Sequence, residues 1–291
     1  MRAVIDLHTH SSVSDGSEPP ERIPQLAAAA GCSAVALTDH DNLAGLPAAA
    51  VSAQRVGVEL VPGCEVSCSA SAAGPAAAGA RGSMHVLVYF VDDPTSPLGR
   101  ELEQLRADRA QRNDRLLARL AELEMPLERA RVVALAGTEE GVGRPHVARA
   151  MVEAGYVADV SEAFDTWLAD GRPAYVPKAR LAPADVARLA RDSGGVAVLA
   201  HPLSLELEPA ALEQLIGDLA DAGFAGIEAT YGAYPEQDRA RLVRLAREAG
   251  LVATGGSDFH GTFKPDLAVG TGHGDLQVPD AVLEELADRR P

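Results

Sequence analysis

Short apolar runs recur along this chain at residues 3–9, 34–38, 58–65, 84–90, 196–200, 225–229 and 252–256. They are rich in Val, Leu, Ile and Ala, and runs of this length predict buried strands. Over residues 20–30, 44–56, 183–193, 209–222 and 235–249 the apolar positions instead recur at helical spacing. That periodicity predicts helices packed by one face. Strands alternating with helices are the mark of βα units, so the fold is predicted to be α/β with a mainly parallel sheet or barrel.

The rhythm breaks at residues 97–176. Residues 100–123 form one long, charged, periodic stretch, with shorter helical stretches near 127–136, 145–154 and 159–170 and no strand pattern between them. A helical insertion capping the barrel mouth is expected here, leaving residues 1–96 and 177–291 as the barrel domain. Residues 69–83, mostly Ala, Gly and Ser, are low in complexity and predict a mobile loop.

Polar motifs punctuate the strand ends, where a barrel of parallel strands gathers its active site. They are His8-Thr9-His10 with Asp15 after it, Thr38-Asp39-His40-Asp41, Glu65, His85, Ala200-His201-Pro202 and Ser257-Asp258-Phe259-His260. Of the eight histidines, seven lie in or between these motifs, and His273 alone falls outside. Neutral imidazoles and carboxylates without thiolates suit hard-to-borderline divalent ions. Side chains at i and i+2 on a strand point the same way, so His8 pairs with His10 and Asp258 with His260. First and late strands of a closed barrel are neighbours, so the two pairs can meet. Asp39 and Asp41 suit the orientation of imidazoles more than direct coordination.

The ordered set of motifs resembles the PHP (polymerase and histidinol phosphatase) family of metal-dependent phosphoesterases over nearly the whole chain. The resemblance implies a distorted (β/α)7 barrel with up to three divalent ions at its mouth. Carried over, the first ion takes His8, His10, Glu65 and Asp258. The second shares Glu65 and adds His85 and His201. The third takes Asp15, His40 and His260. Some relatives have His where this chain has Asp15, which keeps a ligand but changes its charge. Two segments of the insertion, Gly143-Arg144-Pro145-His146-Val147-Ala148-Arg149 and Gly171-Arg172-Pro173-Ala174-Tyr175-Val176, resemble the TrpH-like branch. That branch includes a nucleotide phosphatase and a 5′→3′ exoribonuclease. Arg144 offers a planar donor fork suited to phosphate. His146, Arg172, Tyr175 and Lys178 are further candidate substrate contacts.

Composition narrows the choice. A length of 291 residues and 47% hydrophobic content suit one large globular barrel with an insertion. No apolar run approaches the roughly 18 residues that span a bilayer, so no membrane partner is expected. The start runs straight into the strand carrying His8, so no cleaved leader is expected. Cys32, Cys64 and Cys68 form no disulfide framework and are expected to act as small buried hydrophobes in a reducing cytoplasm. A net charge of −16 disfavours duplex nucleic acid. It leaves room for a small phosphorylated substrate, because bound cations reverse the local field. The oligomeric state stays open.

The expected protein is thus a cytoplasmic phosphomonoesterase holding two to three divalent ions (Mn, Fe or Zn). It would remove a terminal phosphate from AMP or a 3′,5′-bisphosphonucleotide by in-line attack of an activated water. Arg144 would stabilise the transferring group, and His201 is a candidate catalytic residue as well as a ligand. The alternatives are a 5′→3′ exoribonuclease on short RNA, a histidinol phosphatase, and a structural metal-binding module without activity.

Overall fold

The computed structural model describes residues 4–137 and 141–291. The chain forms two compact units, Met1–Leu102 with Arg180–Pro291, and Glu103–Ala179. The strands are β1 Val4–Asp6, β2 Cys32–Leu37, β3 Glu59–Cys68, β4 Met84–Tyr89, β5 Val196–Leu199, β6 Gly226–Tyr231, β7 Val252–Gly256 and a two-residue β8 at Val278–Pro279. The helices are α1 Arg22–Ala30, α2 Leu46–Val56, α3 Pro97–Glu122, α4 Arg129–Ala136, α5 Arg144–Glu153, α6 Val160–Glu162, α7 Pro183–Asp192, α8 Pro209–Asp221, α9 Glu236–Glu248 and α10 Ala281–Ala287.

Among the described residues, all eight strands belong to the first unit, in the order β7-β6-β5-β4-β3-β2-β1-β8. The far end of the sheet returns to the first strand. Leu7 N–H donates to the Gly255 carbonyl at 3.2 Å, Asp258 N–H to that of His8 at 2.8 Å, and His10 N–H to that of Phe259 at 2.9 Å. The sheet is therefore a nearly closed barrel of the distorted (β/α)7 kind, with one small extra strand.

Ile5, Leu7, Ala34, Ala36, Leu87, Tyr89, Val196, Val198 and Ala200 fill one core cluster. They are alternate residues of their segments and share one face of the sheet. The residues between them, such as Val35, Leu37, Val86, Val88 and Leu199, are also buried. Strands buried on both faces read as continuous apolar runs, which is why the sequence pattern located them. The Tyr89 hydroxyl finds its partner in the Leu7 carbonyl at 2.9 Å. Among the helices, α7 opens with Pro183, carries Asp185 in its first turn and buries Val186, Leu189 and Ala190. That is the start signal and amphipathic stripe expected of a barrel helix. Gly31 and Gly57, both left-handed, end α1 and α2.

The structure departs from the sequence reading at several points. β4 runs antiparallel to β3 and β5, and β8 antiparallel to β1. Reversal of β4 brings its beginning, not its end, to the barrel mouth, so His85 pairs with Ser67. β3 continues three residues past Glu65, which lies inside the strand rather than at its end. β1 stops at Asp6, and the following chain stays extended through an isolated bridge of Thr9 to Phe259. Residues 69–83 include two 3-10 turns, Ala70–Ala73 and Pro75–Ala77. β8 and α10 had no counterpart in the pattern.

The second unit is helical and has its own core. Leu116, Leu120, Met125, Val132, Val147, Met151, Leu168 and Ala174 are buried together. Its last stretch is the short α6 followed by a π-helical segment, Ala163–Leu168. The helical region expected over 97–176 thus begins with α3 at Pro97, while the compact unit runs from Glu103 to Ala179.

The seam between β1 and β7 is tight. A Cβ on Gly256 would lie 2.4 Å from both the Cβ and the backbone nitrogen of His8. Such overpacking costs about 1–3 kcal/mol. Gly256→Ala is expected to lose that much stability in urea unfolding and to retain less metal on dialysis, because His8 must shift. An unchanged unfolding midpoint would mean the seam yields freely.

Candidate metal centre

Strand alternation aims the chemistry. Glu65 shares its face of β3 with Val61, and His85 shares its face of β4 with Leu87 and Tyr89, all three members of the core cluster. The same alternation that fills the core therefore puts these two polar side chains at its upper edge. Asp41, His201 and Asp258 have positive φ values of 50°, 25° and 54°. Non-glycine residues seldom adopt this conformation, and they concentrate at functional sites. Here all three stand just after the ends of β2, β5 and β7, where the chain bends sharply at the mouth.

Glu65 is the hub, with its side chain 1% exposed. Its Oε1 lies 2.9 Å from His85 Nδ1 and 2.9 Å from His201 Nε2. Its Oε2 lies 3.2 Å from His8 Nε2, 3.1 Å from His10 Nε2 and 3.3 Å from His40 Nδ1. Asp258 adds Oδ1 at 3.4 Å from His8 Nε2 and 3.3 Å from His10 Nε2. Asp15, the most open member at 45% exposure, reaches His260 Nε2 at 3.3 Å and both His10 Nδ1 and His40 Nε2 at 3.6 Å.

Three overlapping groups of ligand atoms result: His8, His10, Glu65 and Asp258; His40, Glu65 and His85; and His10, Asp15, His40 and His260. His201 joins through Glu65. The structure thus brings all nine sequence-chosen candidates together. His8 Nε2 and His10 Nε2 face each other at 3.1 Å. Ligand atoms in a tetrahedral shell about 2.1 Å from one ion stand about 3.4 Å apart. The spacings of the first group, 3.1–3.4 Å, fit that shell. Among the described residues, the buried Nδ1 atoms of His40 and His85 make no hydrogen bond, although Glu65 oxygens lie at 3.3 and 2.9 Å. Lone pairs that converge without protons to share are what a cation requires.

The electrostatics agree. Burial opposes the charge on Glu65, but His40, His85 and His8 hold its carboxyl well below the usual range. Burial also opposes charge on His8, but Glu228, Asp258 and Glu65 raise its pKa well above the ordinary imidazole value. His10 is likewise raised, to about 9, by Asp258 and Glu65 against burial. His40 goes the other way, to about 3, because burial outweighs Glu65 and Asp15. The buried carboxylates thus favour positive charge at the His8 and His10 imidazoles.

The PHP-domain family model matches residues 6–144. A 3′,5′-nucleoside bisphosphate phosphatase from Chromobacterium violaceum is 33% identical over 258 residues, covering 89% of this chain and 87% of that protein. The chain belongs to the PHP-domain family. A 5′-3′ exoribonuclease from Haemophilus influenzae is 32% identical over 261 residues, covering 89% of this chain and 91% of that protein. The solved structure of a candidate metal-dependent phosphoesterase from Bifidobacterium adolescentis matches with a TM-score of 0.78 at 29% identity, covering 99% of this chain and 96% of that one. This PHP protein is accordingly a metal-dependent phosphoesterase, with His, Asp and Glu clusters suited to metal binding.

Around the PHP cluster stands a supporting layer that the sequence reading missed. Glu228, fully buried on β6, contacts His8 Nδ1 at 2.9 Å through Oε1 and accepts from the His201 backbone N–H at 2.8 Å through Oε2. It fixes the His8 ring and leaves Nε2 to the cluster. The signal was a lone acid inside the apolar run Ala225-Gly226-Ile227-Glu228-Ala229. The Tyr231 hydroxyl donates to Asp258 Oδ2 at 2.6 Å, and Lys264 pairs with the same oxygen, so Oδ1 is the atom offered inward. Asp6 accepts from the backbone N–H groups of His8, Ser257 and Gly270 and ties the seam beneath. Asp39 and Asp41 were expected to orient imidazoles. Asp39 instead holds Ser11 and Ser14, and Ser14 Oγ lies 3.4 Å from His10 Nδ1. Asp41 holds the backbone and hydroxyl of Ser67.

The candidate substrate contacts lie in the helical unit. The Arg144 guanidinium donates to the Leu168 carbonyl at 3.2 Å and sits by the rings of Tyr175 and Phe164, at 5.6 and 6.0 Å. His146 Nδ1 accepts from the Gly143 N–H at 3.1 Å and so closes the start of α5. Arg172 is exposed, and Lys178 is half-buried.

Glu228→Gln keeps the shape but removes the acceptor that pairs with an Nδ1 proton. Loss of such a supporting partner typically costs 10–100-fold in metal affinity. Glu228→Gln is expected to show that weakening in a chelator competition, with little change in far-UV circular dichroism. Wild-type affinity would reduce Glu228 to a packing role.

Proposed function

We propose that this PHP enzyme removes a terminal phosphate from a nucleotide, with a 3′,5′-bisphosphate or a 5′-monophosphate as substrate. One observation carries the reading: a buried carboxylate, Glu65, whose two oxygens face different sets of imidazoles. Such a group is built to bridge cations, and phosphoester hydrolysis is the chemistry that adjacent cations promote. The nucleotide class is supported by the identity with the Chromobacterium violaceum phosphatase over most of both chains.

His8, His10, Glu65 and Asp258 would hold one divalent ion, Glu65, His85 and His201 a second, and Asp15, His40 and His260 a third. Mixed imidazole and carboxylate shells accept Mn, Fe or Zn. Bound ions supply Lewis acidity at the phosphoryl oxygens and bring the pKa of water near neutrality. The chain's own residues do the rest. Glu228 and Ser204 set the His8 and His201 rings. Both His201 nitrogens are engaged, Nε2 by Glu65 and Nδ1 by Ser204 at 2.8 Å, which favours a holding role over proton delivery. Arg144, braced by Leu168 and its two aromatic neighbours, would grip the phosphate, with His146, Arg172, Tyr175 and Lys178 as further contacts from the helical unit. Three free, buried cysteines suit a reducing cytoplasm. Among the described residues, no helix is long and apolar enough to cross a membrane.

Elemental analysis of protein purified without chelator is expected to return about two to three transition-metal equivalents, as in multi-metal hydrolases. A metal-free protein with full activity would overturn the reading. For the substrate, kcat/KM for 3′,5′-bisphosphoadenosine is expected to exceed that for a 5′-phosphorylated oligoribonucleotide. The acidic surface gives a polymer backbone little attraction. Faster stepwise release of mononucleotides from the oligomer would make the protein an exoribonuclease.

A further inference from the structure

Asp258 divides its two oxygens between different partners. Oδ1 faces the imidazoles of His8, His10 and His260 at 3.3–3.4 Å. Oδ2 takes the Tyr231 hydroxyl at 2.6 Å and the Lys264 ammonium. The Lys264 side chain is 38% exposed, so it stands between a buried ligand and solvent. The preceding turn sets its place. Gly261–Phe263 form one 3-10 turn directly after His260. The Thr262 N–H donates to Ser17 Oγ at 2.9 Å, the Ser17 N–H to the His260 carbonyl at 3.1 Å, and the Lys264 N–H to the Gly261 carbonyl at 3.2 Å.

The residue type is informative. Of the chain's 26 Lys and Arg residues, only Lys178 and Lys264 are lysines. Arginine is the default cation of this chain, and position 264 departs from it. A lysine brings a compact ammonium with three donors on a flexible stem, able to turn where a planar fork is rigid. Asp258 accepts one of those donors, and among the described residues Lys264 has no second side-chain acceptor. Holding Asp258 in place does not require the charge. Tyr231 already donates to the same oxygen, and a neutral donor does not repel the cations that this cluster is suited to bind. A positive charge beside a cation site opposes its filling unless an anion arrives there too.

Phosphoester hydrolysis brings such an anion. A phosphomonoester carries close to two negative charges near neutrality, whereas a diester carries one. We infer that Lys264 is a specificity-determining residue, whose ammonium donates to the additional charged oxygen of a terminal phosphomonoester. In a diester that oxygen is esterified. The inference deepens the proposed removal of a terminal phosphate, and it rests on that reading only for the natural substrate being a nucleotide.

The test compares p-nitrophenyl phosphate with bis(p-nitrophenyl) phosphate on the full-length, metal-loaded protein. The leaving group is the same, so a change in the ratio of the two kcat/KM values reads the charge of the ester. Lys264→Met is expected to narrow the monoester-over-diester ratio about 10- to 100-fold, the loss typical of a charged hydrogen bond. Lys264→Arg keeps the charge and is expected to fall between the two proteins. Binding gives a readout that needs no turnover. In calorimetric titration, Lys264→Met is expected to bind inorganic phosphate about 10-fold or more weakly, with dimethyl phosphate little affected. In chelator competition it is expected to hold metal at least as tightly as the wild type, because a repelling charge is gone. Tyr231→Phe is the contrast: it removes a neutral holder of Asp258, and is expected to loosen metal and lower both esters alike.

Equal losses for both esters with looser metal in Lys264→Met would make Lys264 a strut for Asp258 and overturn the inference. An unchanged ester ratio with undiminished phosphate binding overturns it as well. If the wild type cleaves the chromogenic monoester but neither AMP nor 3′,5′-bisphosphoadenosine, the nucleotide reading fails while Lys264 is still judged. If it cleaves neither chromogenic ester, the phosphate titration decides alone.

Discussion

One buried carboxylate among five imidazoles governs this structure. Glu65 touches His8, His10, His40, His85 and His201 within 3.3 Å, at a place almost closed to water. Two unit charges 4 Å apart interact by about 4 kcal/mol at an effective dielectric constant near 20. Adding or removing one charge at such a centre therefore decides much of its energy. In the protein alone, the carboxylates raise the His8 and His10 imidazoles above their ordinary pKa. Divalent ions would answer the same carboxylates with more charge per site, and ligand imidazoles must be free of protons to bind them. The barrel's task is to keep these donors converged although, without cations, they gain little from their closeness.

That task explains the surrounding layer. Asp6 binds three backbone N–H groups across the β1–β7 seam. Gly256 lets β7 press against the backbone of His8. The positive φ values at Asp41, His201 and Asp258 are local strain held by the strands behind them. At His201 and Asp258 that cost aims a side chain at the cluster, and at Asp41 it sets the carboxylate on Ser67.

The sequence made the ligands legible because metal chemistry draws on few residue types and barrel strands order them along the chain. All nine candidates converge. The strand runs were legible because strands buried on both faces are uniformly apolar. Direction was not, since an apolar run reads the same either way. The sequence therefore placed His85 at a strand opening without revealing that β4 is reversed. Glu228 stood inside a run already read as a strand, and its meaning depends on His8, 220 positions away. Arg112 was hidden by its company. Among the many charges of α3 it looked like one more solvated side chain, and only packing separates it from them.

Both units bury charged side chains. The barrel gathers Glu65, Asp258 and Glu228, and the helical unit buries Arg112 on α3. Neither arrangement is what stability alone would select, because apolar side chains of similar volume usually serve a core as well or better. In the barrel, retained charge of this kind is better explained by cations that complete it, since its carboxylates converge with imidazoles in metal-ligand spacing.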